Sequence, residues 1–152
     1  MALETILIAV GPGDPERTIT LMDTLVDVAG PTDAEVVLAH VFDEDEYESA
    51  LDNLGFDSGD RPDPEELLTR YERFREITKR LERNDVEYDQ RGVLHHGDEK
   101  GEAIVELAEE EGADMAFVGG RKRSPTGKAV FGSTSQYVML NAPCPVTFVR
   151  SG

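Results

Sequence analysis

The chain has 152 residues, is 39% hydrophobic, and carries a net charge of −17 from 32 acidic and 15 basic residues. No apolar run approaches the roughly 20 residues that a membrane span needs. The length and composition therefore predict one globular domain over residues 1–152. The negative charge excludes a general surface for nucleic acid or anionic membrane, because such surfaces attract through positive charge. No basic leader precedes the first apolar run and Cys144 is the single cysteine. We therefore expect a cytoplasmic protein without an intrachain disulfide.

The charge is unevenly distributed along the chain. All 32 acidic residues precede Met115, and four basic residues fall in one glycine-rich stretch, GGRKRSPTGKAVFGSTSQ, which covers 119–136. Arginine outnumbers lysine by 11 to 4. An acidic, lysine-poor surface of this kind suits a salt-rich cytoplasm, where salt screens its self-repulsion. We therefore expect a halophilic source.

Five apolar runs of strand length recur along the chain. Near-continuous apolar runs are typical of strands covered on both faces, whereas alternation with charged residues is typical of an exposed edge strand. The run 86–94 alternates and carries Glu87, Asp89 and Arg91, so we expect it at an edge of a sheet. The predicted strands cover 5–10, 35–42, 86–94, 115–119 and 145–150.

Helical patterns fill the intervals between these strands. Asn, Asp or Ser before the first turn and glycine after the last turn are the usual helix boundaries. The first predicted helix begins at the cap Asp14 and Pro15 and stops at Gly30 and Pro31, and the second begins at the cap Asp63 and carries an apolar stripe at 67, 71, 74, 77 and 81. The third covers 101–111 and ends at Gly112. The fourth begins at Ser133, where Gln136 completes a capping box.

The acidic segment 43–63 is longer than an ordinary connection between a strand and a helix. It holds nine acidic residues in 21 positions, together with a short set of apolar residues at helical spacing, Tyr47, Ala50, Leu51 and Leu54. We expect a mobile surface insertion with one or two helical turns.

Strands alternating with helices predict an α/β fold: a doubly wound, Rossmann-like, five-stranded parallel sheet with helices on both faces. Ligands of such sheets bind beyond the carboxyl ends of the strands, where the basic loop would lie. Glycines, helix-start amides and cationic side chains together favour an anion such as phosphate. The plain alternative is that the glycines permit a turn and the bases pair with the acidic body of the protein.

Two common phosphate motifs are excluded. A P-loop needs a glycine five residues before Gly127, where the chain has Lys122, and a hydroxyl after Lys128, where it has Ala129. The first turn, GPGDPE, begins like a dinucleotide fingerprint but has Glu16 in place of the third glycine.

The basic loop and the chain's last residues resemble the universal stress protein family. That family's phosphate and ribose loop reads Gly, two residues, Gly, nine residues, then Gly-Ser or Gly-Thr. Here Gly119, Lys122, Gly132 and Ser133 keep the spacing. The ending NAPCPVTFVR, and ILIAV followed by LAHVF, also match the family's strands. The resemblance covers the chain except the acidic segment and implies an adenine nucleotide α-hydrolase-like fold.

The resemblance implies ATP or AMP, with Mg²⁺, as the ligand. Carried over to matching positions, it places Val41 against adenine, Gly119 at the ribose and α-phosphate, and the start of the last helix at the outer phosphates. The predicted nucleotide-binding residues are Val10, Val41, Gly119, Arg121, Lys122, Gly132, Ser133 and Thr134.

Two departures from the family pattern leave two functions open. Lys122 replaces the middle glycine of the loop, and Gly11 replaces the aspartate that ends the first strand in ATP-binding members. The first function is a nucleotide-dependent stress regulator. The second is a module without a nucleotide cofactor, whose basic loop holds an anion or an acidic partner. In either case the resemblance implies a homodimer joined through 145–150, and we expect no enzyme, with slow ATP hydrolysis left open.

The histidines and the cysteine predict no metal or catalytic site. His95 and His96 would point to opposite sides if extended, so we expect exposed loop residues. His40 lies inside an apolar strand and is expected to be a hydrogen-bonded core histidine. Cys144, beside two prolines, is expected to be structural.

Overall fold

The protein is described from a computed structural model, which covers residues 3–11, 15–57, 59–121 and 132–151. Strands alternate with one or more helices along these ranges. The elements are β1 (Thr5–Ala9), α1 (Pro15–Thr32), β2 (Glu35–Phe42), α2 (Glu44–Asn53), α3 (Pro64–Arg70), α4 (Glu72–Arg83), β3 (Tyr88–Leu94), α5 (Gly101–Glu111), β4 (Met115–Arg121), α6 (Ser133–Asn141) and β5 (Val146–Ser151).

The five strands form one sheet in the order β3-β2-β1-β4-β5, and every neighbouring pair is parallel. From β1 the chain winds outward through β2 to β3, then returns to place β4 and β5 on the other side of β1. The doubly wound parallel sheet predicted from the sequence is confirmed. The strand order reverses between β1 and β4, and a crevice opens at such a point in sheets of this kind.

Two hydrophobic layers cover the two faces of the sheet. One layer contains buried side chains of α1, α2, α3 and α4, for example Leu25, Leu51 and Phe74. The other contains buried side chains of α5 and α6, for example Leu107 and Val138. The near-continuous apolar runs of the central strands follow from this two-sided covering. In the parts of the chain that the structure describes, no helix combines the length and the hydropathy needed to cross a membrane.

Helix α1 ends later than the sequence predicts. It passes through Gly30 and Pro31 and stops at Thr32, whose hydroxyl donates to the carbonyl of Val28 at 2.7 Å. Asp33 then adopts a left-handed conformation, with φ of 57°, which turns the chain toward β2. The helix therefore continues for one residue beyond the proline in its last turn. The predicted cap Asp14 lies outside the described residues.

The helix predicted after Asp63 is two helices. Pro64 opens α3 as expected, but Asp63 makes no side-chain capping bond, and Tyr71 is extended between α3 and α4. The apolar stripe continues across this break because Leu67, Phe74 and the other stripe residues are buried in the same layer.

The acidic segment is more ordered than expected. It contains the ten-residue helix α2, and the Asp43 side chain caps this helix by accepting the backbone N–H of Glu46 at 2.7 Å. Tyr47, Ala50 and Leu51 are buried, so α2 packs on the core. The prediction of only one or two helical turns is wrong, because the short apolar set docks a helix of nearly three turns on the core.

Strand β3 lies at one edge of the sheet, as predicted. Arg91 on this strand reaches Glu65 on α3 at 2.9 Å and also contacts Glu110 and Glu111 on α5. The charged residues of the edge thus connect it to the helices on both faces.

Candidate site at the carboxyl edge of the sheet

The carboxyl ends of β1, β2 and β4 meet at the point where the strand order reverses. Val10 follows β1 directly and is 3% exposed, and its N–H donates to the carbonyl of Ala39 on β2 at 2.9 Å. Val41, near the end of β2, is also buried, and it packs with the α5 and α6 layer. Gly119 lies in β4, opposite Val149 of β5. These three predicted site residues therefore lie on neighbouring strands near the same edge.

Helix α6 begins beside this edge. A hydrogen bond holds its first turn against β4, since the Ser135 hydroxyl donates to the carbonyl of Gly119 at 2.9 Å. Ser135 is buried, whereas Ser133 is exposed. The first amides of the helix are thereby held near the end of β4.

The capping box predicted from Ser133 and Gln136 is wrong. The cap residue is Gly132, which has no side chain to make a capping bond, and Ser133 is the first residue of the helix. The N–H of Gln136 donates to the carbonyl of Gly132 at 3.0 Å, as in any helix. Without a side-chain cap, other acceptors can reach the first amides of α6.

The remaining predicted residues are placed only in part. Thr134 is half-buried in the first turn of α6. Arg121 ends β4, and only its backbone is described. Lys122 and the basic loop up to residue 131 lie outside the described residues.

Three glycines border this edge without a packing contact that requires glycine. A Cβ added at Gly11 or Gly132 would meet no atom of the described residues within 4 Å. One added at Gly119 would meet Leu21 at 3.6 Å, which is an ordinary contact.

His40 is a hydrogen-bonded core histidine, as predicted from the sequence. Its ring is 1% exposed, and its Nδ1 lies 2.6 Å from the carbonyl oxygen of Val10. Its Nε2 lies 2.6 Å from Oε2 of Glu46 on α2. The acidic helix is therefore connected to the end of β1 through one buried ring. Sequence reasoning missed Glu46, which looks like any other acid in its segment, and Ser135, whose partner is a backbone carbonyl.

The other histidines and the cysteine form no second centre. His96 is exposed as expected, but His95 is only 18% exposed, and its Nε2 lies 4.0 Å from Glu102. Burial raises the pKa of the Cys144 thiol, which suits a structural role. Among the described residues, no group of histidine, cysteine and carboxylate side chains could hold a metal ion.

A parallel sheet whose strand order reverses between β1 and β4 defines a doubly wound α/β protein. A sequence profile of the universal stress protein family matches residues 2–150, so the chain belongs to that family. A Staphylococcus haemolyticus relative that bears the name putative universal stress protein is 30% identical over 127 residues. The aligned residues cover 83% of this chain and 73% of the relative.

Solved structures of the same family share the fold. A universal stress protein from Archaeoglobus fulgidus superposes with a TM-score of 0.71 at 23% identity, over 96% of this chain and 98% of that one. An Archaeoglobus fulgidus universal stress protein in complex with dAMP gives a TM-score of 0.65 at 19% identity, over 98% of this chain and 99% of that one.

Proposed function

We propose that the chain binds an adenine nucleotide, AMP or ATP with Mg²⁺, at the carboxyl edge of its sheet and acts as a cytoplasmic, nucleotide-dependent stress regulator. The observation that carries the proposal is the reversal of strand order between β1 and β4, bordered among the described residues by Gly11, Gly119 and Gly132. Crevices at such switch points are where sheets of this class bind nucleotides. The dAMP complex of the Archaeoglobus fulgidus protein, which shares the fold, supports adenine nucleotide as the ligand class.

Each predicted residue has a physical role in this proposal. Val41 supplies an apolar contact for the base, Val10 secures the end of β1 from the layer on the opposite face of the sheet, and the amides after Gly132 receive phosphate oxygens at the positive end of the helix dipole. Arg121 and Lys122 add full positive charges, which offset the repulsion between phosphate and the acidic body of the protein. Gly11 in place of an aspartate removes a hydrogen-bond partner and also a repulsive charge.

Isothermal titration calorimetry with AMP, and with ATP and Mg²⁺, tests the proposal in molar salt. We expect saturable binding, weakened about ten-fold by Arg121→Ala or Lys122→Ala, because each removes a charged phosphate contact. Arg83→Ala removes an exposed arginine at the far end of α4 and should leave the affinity unchanged. Absence of both binding heat and a thermal shift would overturn the proposal.

Gly132→Ala separates binding from folding. Because a Cβ at Gly132 would meet nothing within 4 Å, we expect the melting temperature to stay the same. The added methyl group would occupy space beside the first amides of α6, so the nucleotide should bind less tightly. Unchanged affinity in Gly132→Ala would place the ligand away from the start of α6.

The second candidate is an interaction module without a nucleotide, and the homodimer expected for either candidate would form at the edge of the sheet. Strand β5 lies at that edge, and Leu140 on the preceding helix is 76% exposed. Pairing through β5 would cover an edge that otherwise invites uncontrolled association. Light scattering would then give twice the 16.7 kDa of one chain. A melting temperature that rises with sulfate or phosphate and ignores AMP would favour this candidate, whereas an equal rise with chloride would count against it.

A further inference from the structure

The buried ring of His40 contacts a backbone carbonyl through one nitrogen and a carboxyl group through the other. A neutral imidazole has only one N–H, so it cannot donate to both a carbonyl and a carboxylate. A backbone carbonyl only accepts hydrogen bonds, so Nδ1 must carry a proton and donate it to Val10. Glu46 lies at 2.6 Å from Nε2, and a carboxylate also only accepts. Both hydrogen bonds therefore require one further proton, either on Nε2 of the ring or on the carboxyl group of Glu46.

The surroundings keep this proton within the pair. Phe42 and Phe74 pack edge-on against the imidazole, with ring centroids 4.6 and 5.5 Å away, so the ring has no contact with water. Glu46 is 22% exposed and lines an open groove of about 600 Å³ between α2 and the start of α4. The proton can thus exchange with solvent only on the Glu46 side.

The titratable groups around the pair come from three elements of the described structure. Helix α2 contributes Glu46 itself, whose backbone N–H is held by Asp43. The junction between α3 and α4 contributes Tyr71; burial, and after it the charge of Glu46, raises the pKa of Tyr71 to about 12. Helix α4 contributes Arg73, whose charge acts on Tyr71 in the opposite direction, together with Glu72 and Arg75, and Arg70 ends α3 beside the junction; these four side chains line the same groove as Glu46. Tyr71 keeps its own proton up to pH 10, the highest pH of the experiments below.

We propose that His40 and Glu46 form a proton-dependent clamp that positions the end of β1. Val10 is held on both sides by β2, through its N–H to Ala39 and its carbonyl to His40. Gly11 follows directly and is exposed at the switch point. With the extra proton in place, the contact with α2 fixes the end of β1 beside the proposed site. Loss of the proton leaves two lone pairs facing each other and releases this end of the strand. His40 and Glu46 are positioning residues here, and their effect on AMP binding rests on the proposed function.

The sign of the pH dependence follows from the proton count. Removing the shared proton breaks the contact, so the clamp weakens as the pH rises. Adding a second proton at low pH leaves Nε2 as a donor and the carbonyl oxygen of Glu46 as an acceptor, so the contact survives. Nucleotide affinity should therefore fall on the alkaline side only.

Glu46→Gln is the decisive variant because it keeps the hydrogen bond and removes the need for the proton. A glutamine amide donates to the unprotonated Nε2 of a neutral ring. Glu48→Gln is the matched control: Glu48 lies on the same helix, is 61% exposed, and pairs with Arg61 at 3.3 Å. The control should behave as the wild type does.

Nuclear magnetic resonance of the ligand-free protein tests the clamp without any nucleotide. At neutral pH, the His40 ring nitrogens and the Glu46 carboxyl carbon should together report the extra proton in the wild type and not in Glu46→Gln. As the pH rises to 10, the amide signals of Val10 and Gly11 should move in the wild type and Glu48→Gln, and stay in place in Glu46→Gln. A singly protonated ring beside an ionised Glu46 at neutral pH would overturn the proposal, as would identical amide shifts in all three proteins.

Calorimetry over the same pH range then gives the functional consequence. AMP affinity should fall about five-fold in the wild type as one positioning hydrogen bond is lost, and stay constant in Glu46→Gln. Equal pH profiles in the two proteins would overturn the effect on binding. If AMP does not bind at any pH while the resonances behave as stated, the clamp stands and the proposed function fails.

Discussion

Gly92 is a position where the fold itself requires glycine. It lies in β3 opposite His40, and a Cβ placed there would be 2.7 Å from the carbonyl carbon of Pro64 and 2.9 Å from the amide nitrogen of Glu65. Both atoms belong to the backbone at the start of α3, so no side chain can move aside. In Gly92→Ala, α3 would have to shift away from the sheet by more than half an ångström to reach the ordinary contact distance of about 3.4 Å.

The magnitude follows from two opposing effects. Overpacking of this kind costs about 1–3 kcal/mol, and the smaller entropy of the unfolded alanine chain offsets about 0.4–1 kcal/mol of it. We expect Gly92→Ala to lower the free energy of unfolding by about 1–2 kcal/mol and the melting temperature by about 3–6 °C. Urea denaturation in molar salt measures the first value and calorimetry the second.

Gly30→Ala is the matched control for this prediction. Gly30 lies in α1, is exposed, and a Cβ there would meet nothing within 4 Å. Alanine is the better helix former by about 0.5–1 kcal/mol, but Pro31 disfavours a Cβ on the helical residue before it, so Gly30→Ala should change the free energy of unfolding by less than about 1 kcal/mol in either direction. The steric reasoning fails if Gly92→Ala is as stable as the wild type while Gly30→Ala behaves as stated.

Two further predictions concern single hydrogen-bonding groups. Ser135→Ala should lower the free energy of unfolding by about 1 kcal/mol by removing the bond to Gly119, while Ser133→Ala, which loses no capping bond, should leave it unchanged; urea denaturation compares them. Tyr71 keeps its proton to a pKa of about 12 in the folded chain against 10 when unfolded, so its stabilisation is present below pH 10 and is lost between pH 10 and 12. In Tyr71→Phe the alkaline loss of stability should be smaller by about 1 kcal/mol, after allowance for solvent screening, and equal slopes in the two proteins would contradict the assignment.

The class of fold was predictable because burial on both faces leaves a strong sequence pattern. The runs that became β1, β2 and β4 are nearly continuous in apolar residues, and the alternating run became the edge strand β3. Local breaks were less predictable. Tyr71 interrupts a helix whose apolar period continues on both sides, since α3 and α4 bury their stripes in the same layer.

The candidate site was predictable only where its contacts are local in sequence or follow from the order of the strands. Gly119 and Gly132 could be placed near one edge because a parallel sheet brings the carboxyl ends of its strands together. The contact between His40 and Glu46 crosses from a strand to a helix in a run of similar acids, so nothing in the spacing distinguishes Glu46 from its neighbours. The same holds for Ser135, since sequence rules assign helix capping to the residue at the boundary and not to a serine two positions inside.

The structure divides the glycines into two groups that the sequence cannot separate. Gly92 and Gly101 are required by packing, since a Cβ would lie 2.7 Å from the backbone of Pro64 in one case and 2.8 Å from the side chain of Tyr137 in the other. Gly11 and Gly132 have no such neighbour in the part of the chain that the structure describes, yet both border the same edge of the sheet. A glycine in open space costs conformational entropy on folding, so the second group lowers stability without a gain in packing. Close approach of a ligand to the backbone would account for that cost at this edge, where the strand order reverses and α6 begins.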